Sequence, residues 1–251
     1  MAPLSTAIFY IASFIVGFSK TGFPGAGIVA IPIMAMVISP KLSIGVMLLL
    51  YMVGDVLSIG LWWRHAERHY CLPFLLFVGL GIWGASFVIG AVTDKTFGVI
   101  IGGLILSLTV LSLLIGVLRK AGNSSAASPA PIKPPLSFSV FFGFFTGLVS
   151  SLTNAAGPIM SLYLLLFRLE KFQMLGTISV CAFFMNWAKV PLFVSMGNIN
   201  TDTLKLAAMA VPMVILGGLA GFFLAKKIPQ KAFTNLVYFL SIAGSVNLIL
   251  R

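Results

Sequence analysis

The sequence predicts an all-α polytopic membrane protein of two inverted repeats, each a broken or re-entrant helical hairpin followed by three transmembrane helices. Three observations carry this expectation. The chain has 251 residues, 59% of them hydrophobic and only 8% charged, where an ordinary soluble domain has about 25% charged. Two stretches, GFSKTGFPGAG (Gly17 to Gly27) and GLVSSLTNAAG (Gly147 to Gly157), interrupt strongly apolar runs at equivalent places, 130 positions apart. Finally, the loop lysines and arginines give an orientation only if each interrupted pair enters and leaves the membrane on one side.

Composition excludes several classes of function. Apolar runs of about the 20 residues needed to cross a bilayer are Leu42–Trp63, Pro73–Val92, Phe97–Leu118, Leu175–Met196, Leu204–Ala225 and Phe233–Leu250. The formal net charge is +11, but the basic residues stand singly or in pairs at the ends of these runs. Such charge sets membrane orientation, and no nucleic-acid partner is expected. Cys71 and Cys181 form no CxxC pattern and predict no disulfide. His65, Glu67 and His69 share one loop at a spacing too loose for a metal site, so neither metal nor cofactor is expected. The first apolar stretch lacks a preceding basic segment, so no cleaved signal peptide is expected.

The stretch Arg119 to Pro135, RKAGNSSAASPAPIKPP, reads as a linker because it is rich in Ser, Ala and Pro. It separates a first repeat, 1–118, from a second, 136–251, with 119–135 as a cytoplasmic linker. The first broken pair is Leu4–Phe18 with Ala26–Ser39. Beyond the broken pairs, Pro40-Lys41 corresponds to Glu170-Lys171, Asp55 to Asn186, and Asp94 to Gln230.

Charge decides whether the repeats are inverted. If each broken pair were a single span, the loop cations would divide evenly. If it returns to the side it came from, Arg64, Arg68, Arg119, Lys120, Lys133, Arg168, Lys171, Lys226, Lys227 and Lys231 share one side. Only Lys41, Lys95, Lys205 and Arg251 share the other. The richer side is cytoplasmic. Both termini then lie outside the cytoplasm, and the odd number of crossings inverts one half relative to the other. At 14 to 15 residues, roughly 21–23 Å at helical rise, the broken elements are short for a ~30 Å hydrocarbon core. Re-entrant hairpins are preferred, and short full crossings would place the loops on the same sides.

Non-helical backbone at membrane depth survives only inside protein or along a cavity, and paired interruptions in two repeats point to a transporter's substrate site. Each second half-helix, from Ala26 and from Ala156, begins with N–H groups that lack intrahelical partners and a partial positive charge. Two such ends facing one cavity suit an anion. Gly22, Gly25, Gly27 and Gly157 allow backbone to approach it. Thr21, Ser150, Ser151, Thr153 and Asn154 offer donors, and Lys20 adds a full charge. The same small residues could instead serve helix packing, but the doubled cluster favours a site.

Two ionisable residues fall inside apolar spans, Asp55 in MVGDVLS and Lys189 in NWAKVPL. An intramembrane charge is a functional-site hypothesis by default. Lys189 adds to an anion cavity; Asp55, with Asn186 as its counterpart, is assigned to coupling or charge balance. It would neutralise a lysine or take up a proton. The alternative is that the two simply pair to hold the halves together. Phe138, Phe141, Phe142, Phe144 and Phe145 read as lipid-facing or packing residues, and Trp62, Trp63 and Tyr70 as an interfacial belt.

The repeated pattern resembles the TauE/SafE family of membrane transporters, also called the toluene sulfonate uptake permease family. The resemblance spans two related halves, a Gly-rich interruption opening each, and a variable central linker. The family's first motif is commonly GxGGG followed by proline; here it reads GFPGAGIVAIP, with Pro24 and Ala26 where glycine is common and Pro32 retained. The resemblance implies secondary transport of sulfur-containing anions, sulfite or organosulfonates such as sulfoacetate, across the cell (inner) membrane. Spacing alone reaches only a small anion. A non-transporting scaffold or assembly factor is the rival reading, and an intramembrane enzyme is disfavoured for want of a nucleophile–base pair at depth. The expected partners are the small anion, the lipid bilayer, and protons or another coupling ion, with room left for a homodimer.

Overall fold

The computed structural model describes residues 3–88, 132–154 and 156–250, with isolated positions between 99 and 110. The expected span Phe97–Leu118, the Asp94–Phe97 junction and nearly all of the 119–135 linker lie outside the described residues. Among the described residues the chain is helical, without a strand. The first half contains α1 (Pro3–Thr21), α2 (Gly27–Val37), α3 (Pro40–Trp62), a 3-10 turn (Trp63–His65) and α4 (Arg68–Val88). The second contains α5 (Leu136–Thr153), α6 (Gly157–Leu166), α7 (Lys171–Ser195), α8 (Thr201–Lys227) and α9 (Gln230–Leu250). Helices α1 and α5, α4, α7 and α8, and the segment Leu42–His65 are long and apolar enough to cross a membrane.

The helix starts follow from local chemistry. Ser39 caps α3 by accepting from Leu42 N–H, with Pro40 in the first turn where its missing N–H costs nothing. At the corresponding place Glu170 and Gln173 form a reciprocal capping box at the head of α7. Asn200 does the same with Thr203 for α8.

The two broken pairs are unequal, not the matched 14- to 15-residue arms expected from the sequence. Helix α1 has 19 residues and α5 has 18, whereas α2 has 11 and α6 has 10. At 1.5 Å per residue these are about 28, 27, 16 and 15 Å long. The first arms run further because three of their hydroxyls bond back to carbonyls one turn earlier. Ser151 Oγ donates to Gly147 O at 2.9 Å and Thr153 Oγ1 to Val149 O at 2.9 Å, the back-bonding that hydroxyls use inside helices. Thr21 Oγ1 bonds Gly17 O at 3.3 Å and, across to α8, Gly218 O at 2.5 Å.

The halves interlock through glycine. A Cβ on Gly17 would lie 1.9 Å from Val214 O, and one on Gly217 would lie 2.0 Å from Phe14 O. The same crossing recurs at the equivalent positions: a Cβ on Gly147 would lie 2.1 Å from Val78 O, and one on Gly81 2.0 Å from Phe144 O. Thus α1 lies backbone to backbone on α8 of the other half, and α5 on α4. Reciprocal pairs of this kind are consistent with an inverted repeat, each half of the chain supplying one partner to each crossing. Small residues permit such approach where lipid gives no hydrophobic drive for association.

Helices α3 and α7 cross at the centre in opposite directions, joined by Asp55 with Asn186 and Ser58 with Ser179. Outward faces carry large apolar side chains, including Leu72, Trp83, Met209 and Phe223, as a lipid-facing surface requires. The expected aromatic belt is corrected at two positions. Trp63 is exposed, but Trp62 is fully buried and donates Nε1–H to Thr21 O at 2.8 Å. Tyr70 is also buried, its hydroxyl bound to Ile132 O at 2.8 Å. A buried Trp or Tyr finds a partner for its polar end, and both here tie a helix to a neighbouring segment. Of the phenylalanine stripe, Phe142 is core, while Phe138 and Phe141 are exposed.

Candidate functional site

The ends of α1 and α5 are held by the long helices, which fixes the two tips. The last carbonyls of a helix lack intrahelical donors. For α1 they are met from α3: Ser58 Oγ donates to Lys20 O at 2.8 Å, and Trp62 to Thr21 O. For α5 the donor is Lys189 of α7, whose Nζ reaches Ser150 O at 3.3 Å, Ser150 Oγ at 2.9 Å and Asn154 Oδ1 at 3.0 Å.

Between α1 and α2 the first tip is a tight, self-satisfied loop. Gly25 adopts φ +104°, a conformation L side chains rarely take. Ser19 Oγ accepts from Gly27 N–H at 2.7 Å and donates to Phe23 O at 3.2 Å. Tyr51 donates its hydroxyl to Gly27 O at 3.2 Å. In the second tip Asn154 turns the chain in the left-handed conformation at φ 57°, which asparagine tolerates. The tips touch: a Cβ on Gly157 would lie 2.9 Å from Gly25 N and 3.2 Å from Gly25 Cα.

Their junction opens on a cavity of about 580 Å³, counting its mouth. Its polar lining comes from Ser19, Lys20, Tyr51, Asp55, Ser150, Asn154, Ser179 and Asn186, with the tip residues Gly25, Gly27, Ala156 and Gly157. Pro24, Ile28, Pro158, Met160, Ile178, Ala182 and Met185 supply apolar surface. Three helices and the tip of each half thus converge on one space.

The charges are arranged asymmetrically. Lys20 Nζ lies 2.7 Å from Asp55 Oδ1, with Lys20 15% exposed and Asp55 not at all. Asn186 Nδ2 donates to the other carboxylate oxygen at 2.5 Å. Lys189, 1% exposed, is bound to neutral oxygens, with no carboxylate within 4 Å among the described residues. The formal charges of Lys20, Asp55 and Lys189 leave one positive in excess. That excess favours an anion in the cavity, because opposite charge is worth far more at low dielectric than in water.

The structure brings Lys20, Gly25, Gly27, Ser150, Asn154, Ala156, Gly157, Asp55 and Asn186 to the cavity wall. It places Lys189 one layer behind Ser150 and Asn154. Thr21 and Gly22 face α8, where a Cβ on Gly22 would lie 2.5 Å from Gly221 O. Ser151 and Thr153 spend their hydroxyls within α5, and Ala26 packs against the core beside the tip. Sequence reasoning missed Ser19, Tyr51, Ser179 and the apolar wall. Tyr51 had a usable signal, since it precedes Asp55 by one helical turn and shares its face. Met160, Ile178 and Met185 had none, being apolar residues in apolar spans.

A family model described as sulfite exporter TauE/SafE matches residues 9–248 of the chain. No curated protein and no solved structure matches it.

Proposed function

The chain belongs to the sulfite exporter TauE/SafE family, a family of membrane transporters and not of enzymes, and from that premise we propose that it carries a small sulfur-containing anion as a secondary transporter. Sulfite, or an organosulfonate such as sulfoacetate, is held near the bilayer midplane between the α2 and α6 N-termini. The observation that carries this reading is the meeting of the two tips at a cavity whose formal charge is positive. Lys20, Ser150 and Asn154 are the side chains placed to bind the oxygens, and Lys189 acts through the latter two. The Gly27 N–H is already used by Ser19, and those of Ala26, Ile28 and Val29 by Phe23 O, Gly25 O and Ala26 O, so the first tip contributes its dipole and Lys20. Ile28, Met160, Ile178 and Met185 accommodate an apolar portion of the substrate.

Binding of radiolabelled sulfite and sulfoacetate to purified protein tests the reading. Lys189→Met, which strips Ser150 and Asn154 of their donor, should weaken binding roughly ten- to a hundredfold, at about 1.5–3 kcal/mol for a charge-assisted hydrogen bond. Lys20→Met should weaken it similarly. Unchanged affinity in both variants returns the lysines to a structural role. Failure of the wild type to bind either anion would favour a membrane scaffold.

Repeat boundaries at 1–118 and 136–251, a cytoplasmic linker and termini outside the cytoplasm of a cell inner membrane complete the proposal. In intact cells, a cysteine placed at Ser125 should react with an impermeant maleimide only after the membrane is opened. One added after Arg251 should react from outside. Labelling of both from the same side removes the inverted topology.

A further inference from the structure

The Lys20–Asp55 pair stands inside the cavity, which gives it a consequence beyond charge balance. Lys20 reaches it from α1, and its ammonium also lies over the Tyr51 ring at 4.6 Å. Asn186 and Lys189 face Asp55 from α7. No second carboxylate joins them among the described residues. Lys20 is partly open to the cavity, whereas Asp55 lines its wall with no surface exposed to solvent. An anion entering the cavity therefore meets an ammonium that already has a counter-ion. If the anion engages Lys20, the only cation within 4 Å of Asp55 among the described residues, anion and carboxylate share that ammonium in a space shielded from water, while Lys189 stays bound to Ser150 and Asn154. Two anions in a shared dry site do not both stay ionised, and a buried carboxylate without its own partner neutralises. A sulfonate is the anion of a strong acid, so the carboxylate is the group that takes the proton. As a neutral carboxyl, Asp55 can still accept from Asn186 on one oxygen while its new O–H serves as a donor.

We propose that Asp55 is a proton-binding site coupled to the anion, so that each anion engaging Lys20 travels with one proton on Asp55. The inference rests on the cavity being the anion site. The proton comes from water on the side to which the cavity is open. It leaves to water on the opposite side when the anion departs and Lys20 re-forms its pair with the carboxylate. Asn186 replaces the second carboxylate that a symmetric pair of halves would carry, which limits the load to a single proton.

The test uses purified full-length protein in proteoliposomes with pyranine inside and the voltage clamped by potassium and valinomycin. Isethionate is the probe, because it has no group that titrates near neutral pH. A labelled isethionate gradient should move anion and proton together at about one to one. Binding should weaken as pH rises, by up to about tenfold per pH unit once Asp55 is ionised in the free protein, as reciprocal linkage requires. Asp55→Asn mimics the neutral carboxyl. It should bind isethionate at least as tightly as the wild type does at low pH, with no pH dependence. Isethionate flux without proton movement in the wild type overturns the inference while sparing the anion site, whether or not Asp55→Asn folds. Asp55→Asn with wild-type pH dependence overturns it also. Absence of isethionate, sulfoacetate and sulfite flux sinks the anion-site reading, and the proton inference with it.

Discussion

Protein carrying Gly157→Val should keep its helical content and lose at least a hundredfold in affinity for sulfoacetate. A Cβ there would lie 2.9 Å from Gly25 N and 3.2 Å from Gly25 Cα. Neither is the end of a flexible side chain that can swing away. The opposing loop is itself constrained, with Gly25 at φ +104°, so it yields only by abandoning its turn. Valine adds two further methyl groups to the conflict. The tips then separate, and donors that converge on one anion no longer do so. Loss of two charge-assisted hydrogen bonds, at about 1.5–3 kcal/mol each, already exceeds a hundredfold. Asn154→Ala, at the cavity wall, should cost ten- to a hundredfold. Ser151→Ala should cost little, because that hydroxyl is spent on Gly147 O; Ser5→Ala and Ser137→Ala, at the far ends of the arms, serve as controls. Wild-type affinity in Gly157→Val, measured by equilibrium binding, would remove the tips from the site.

Gly81→Ala and Gly217→Ala should lower thermal stability in detergent more than other single-methyl additions in these helices. Each new Cβ would stand 2.0 Å from a carbonyl oxygen of the partner helix, Phe144 O or Phe14 O. Contact at that distance is impossible, so two helices must move apart along their closest line. Overpacking costs about 1–3 kcal/mol and sometimes more, and here backbone, not side chain, must give way. Gly79→Ala is the internal control in the same helix as Gly81. Gly79 is exposed, and a Cβ there meets nothing within 4 Å among the described residues. That change should be neutral or slightly stabilising, since alanine favours helix by about 1 kcal/mol. Equal losses for Gly79→Ala and Gly81→Ala in a melting experiment would mean that the crossing is not tight.

The helical membrane fold was legible in the sequence because lipid demands long apolar runs and forbids unpaired backbone. Pro40-Lys41 and Glu170-Lys171 could be matched to one another from the sequence, but that they head the long helices is seen only in the capping. Arm length was not legible. The polar letters of SKT and SSLT look like interruption, yet the hydroxyls of Thr21, Ser151 and Thr153 bond back to carbonyls and let α1 and α5 continue. At the site, Asp55 and its counterpart Asn186 could be named from the repeat alone. Which lysine Asp55 would take could not, because both lysines belong to other helices and only packing decides between them. The apolar wall was invisible for a simpler reason, since a methionine facing a cavity and one facing a neighbour are the same letter.

The glycine crossings also decide what can move as one piece. Helix α1, with the first tip at its end, is keyed to α8 of the opposite half, and α5, with the second tip, is keyed to α4. Any motion that parts the tips must carry α8 with one and α4 with the other, or break a backbone contact that tolerates no added methyl. Bodies that moved as units would therefore be composites drawn from both halves of the chain, and a hinge placed by cutting the chain at its centre would separate helices that the glycines hold backbone to backbone.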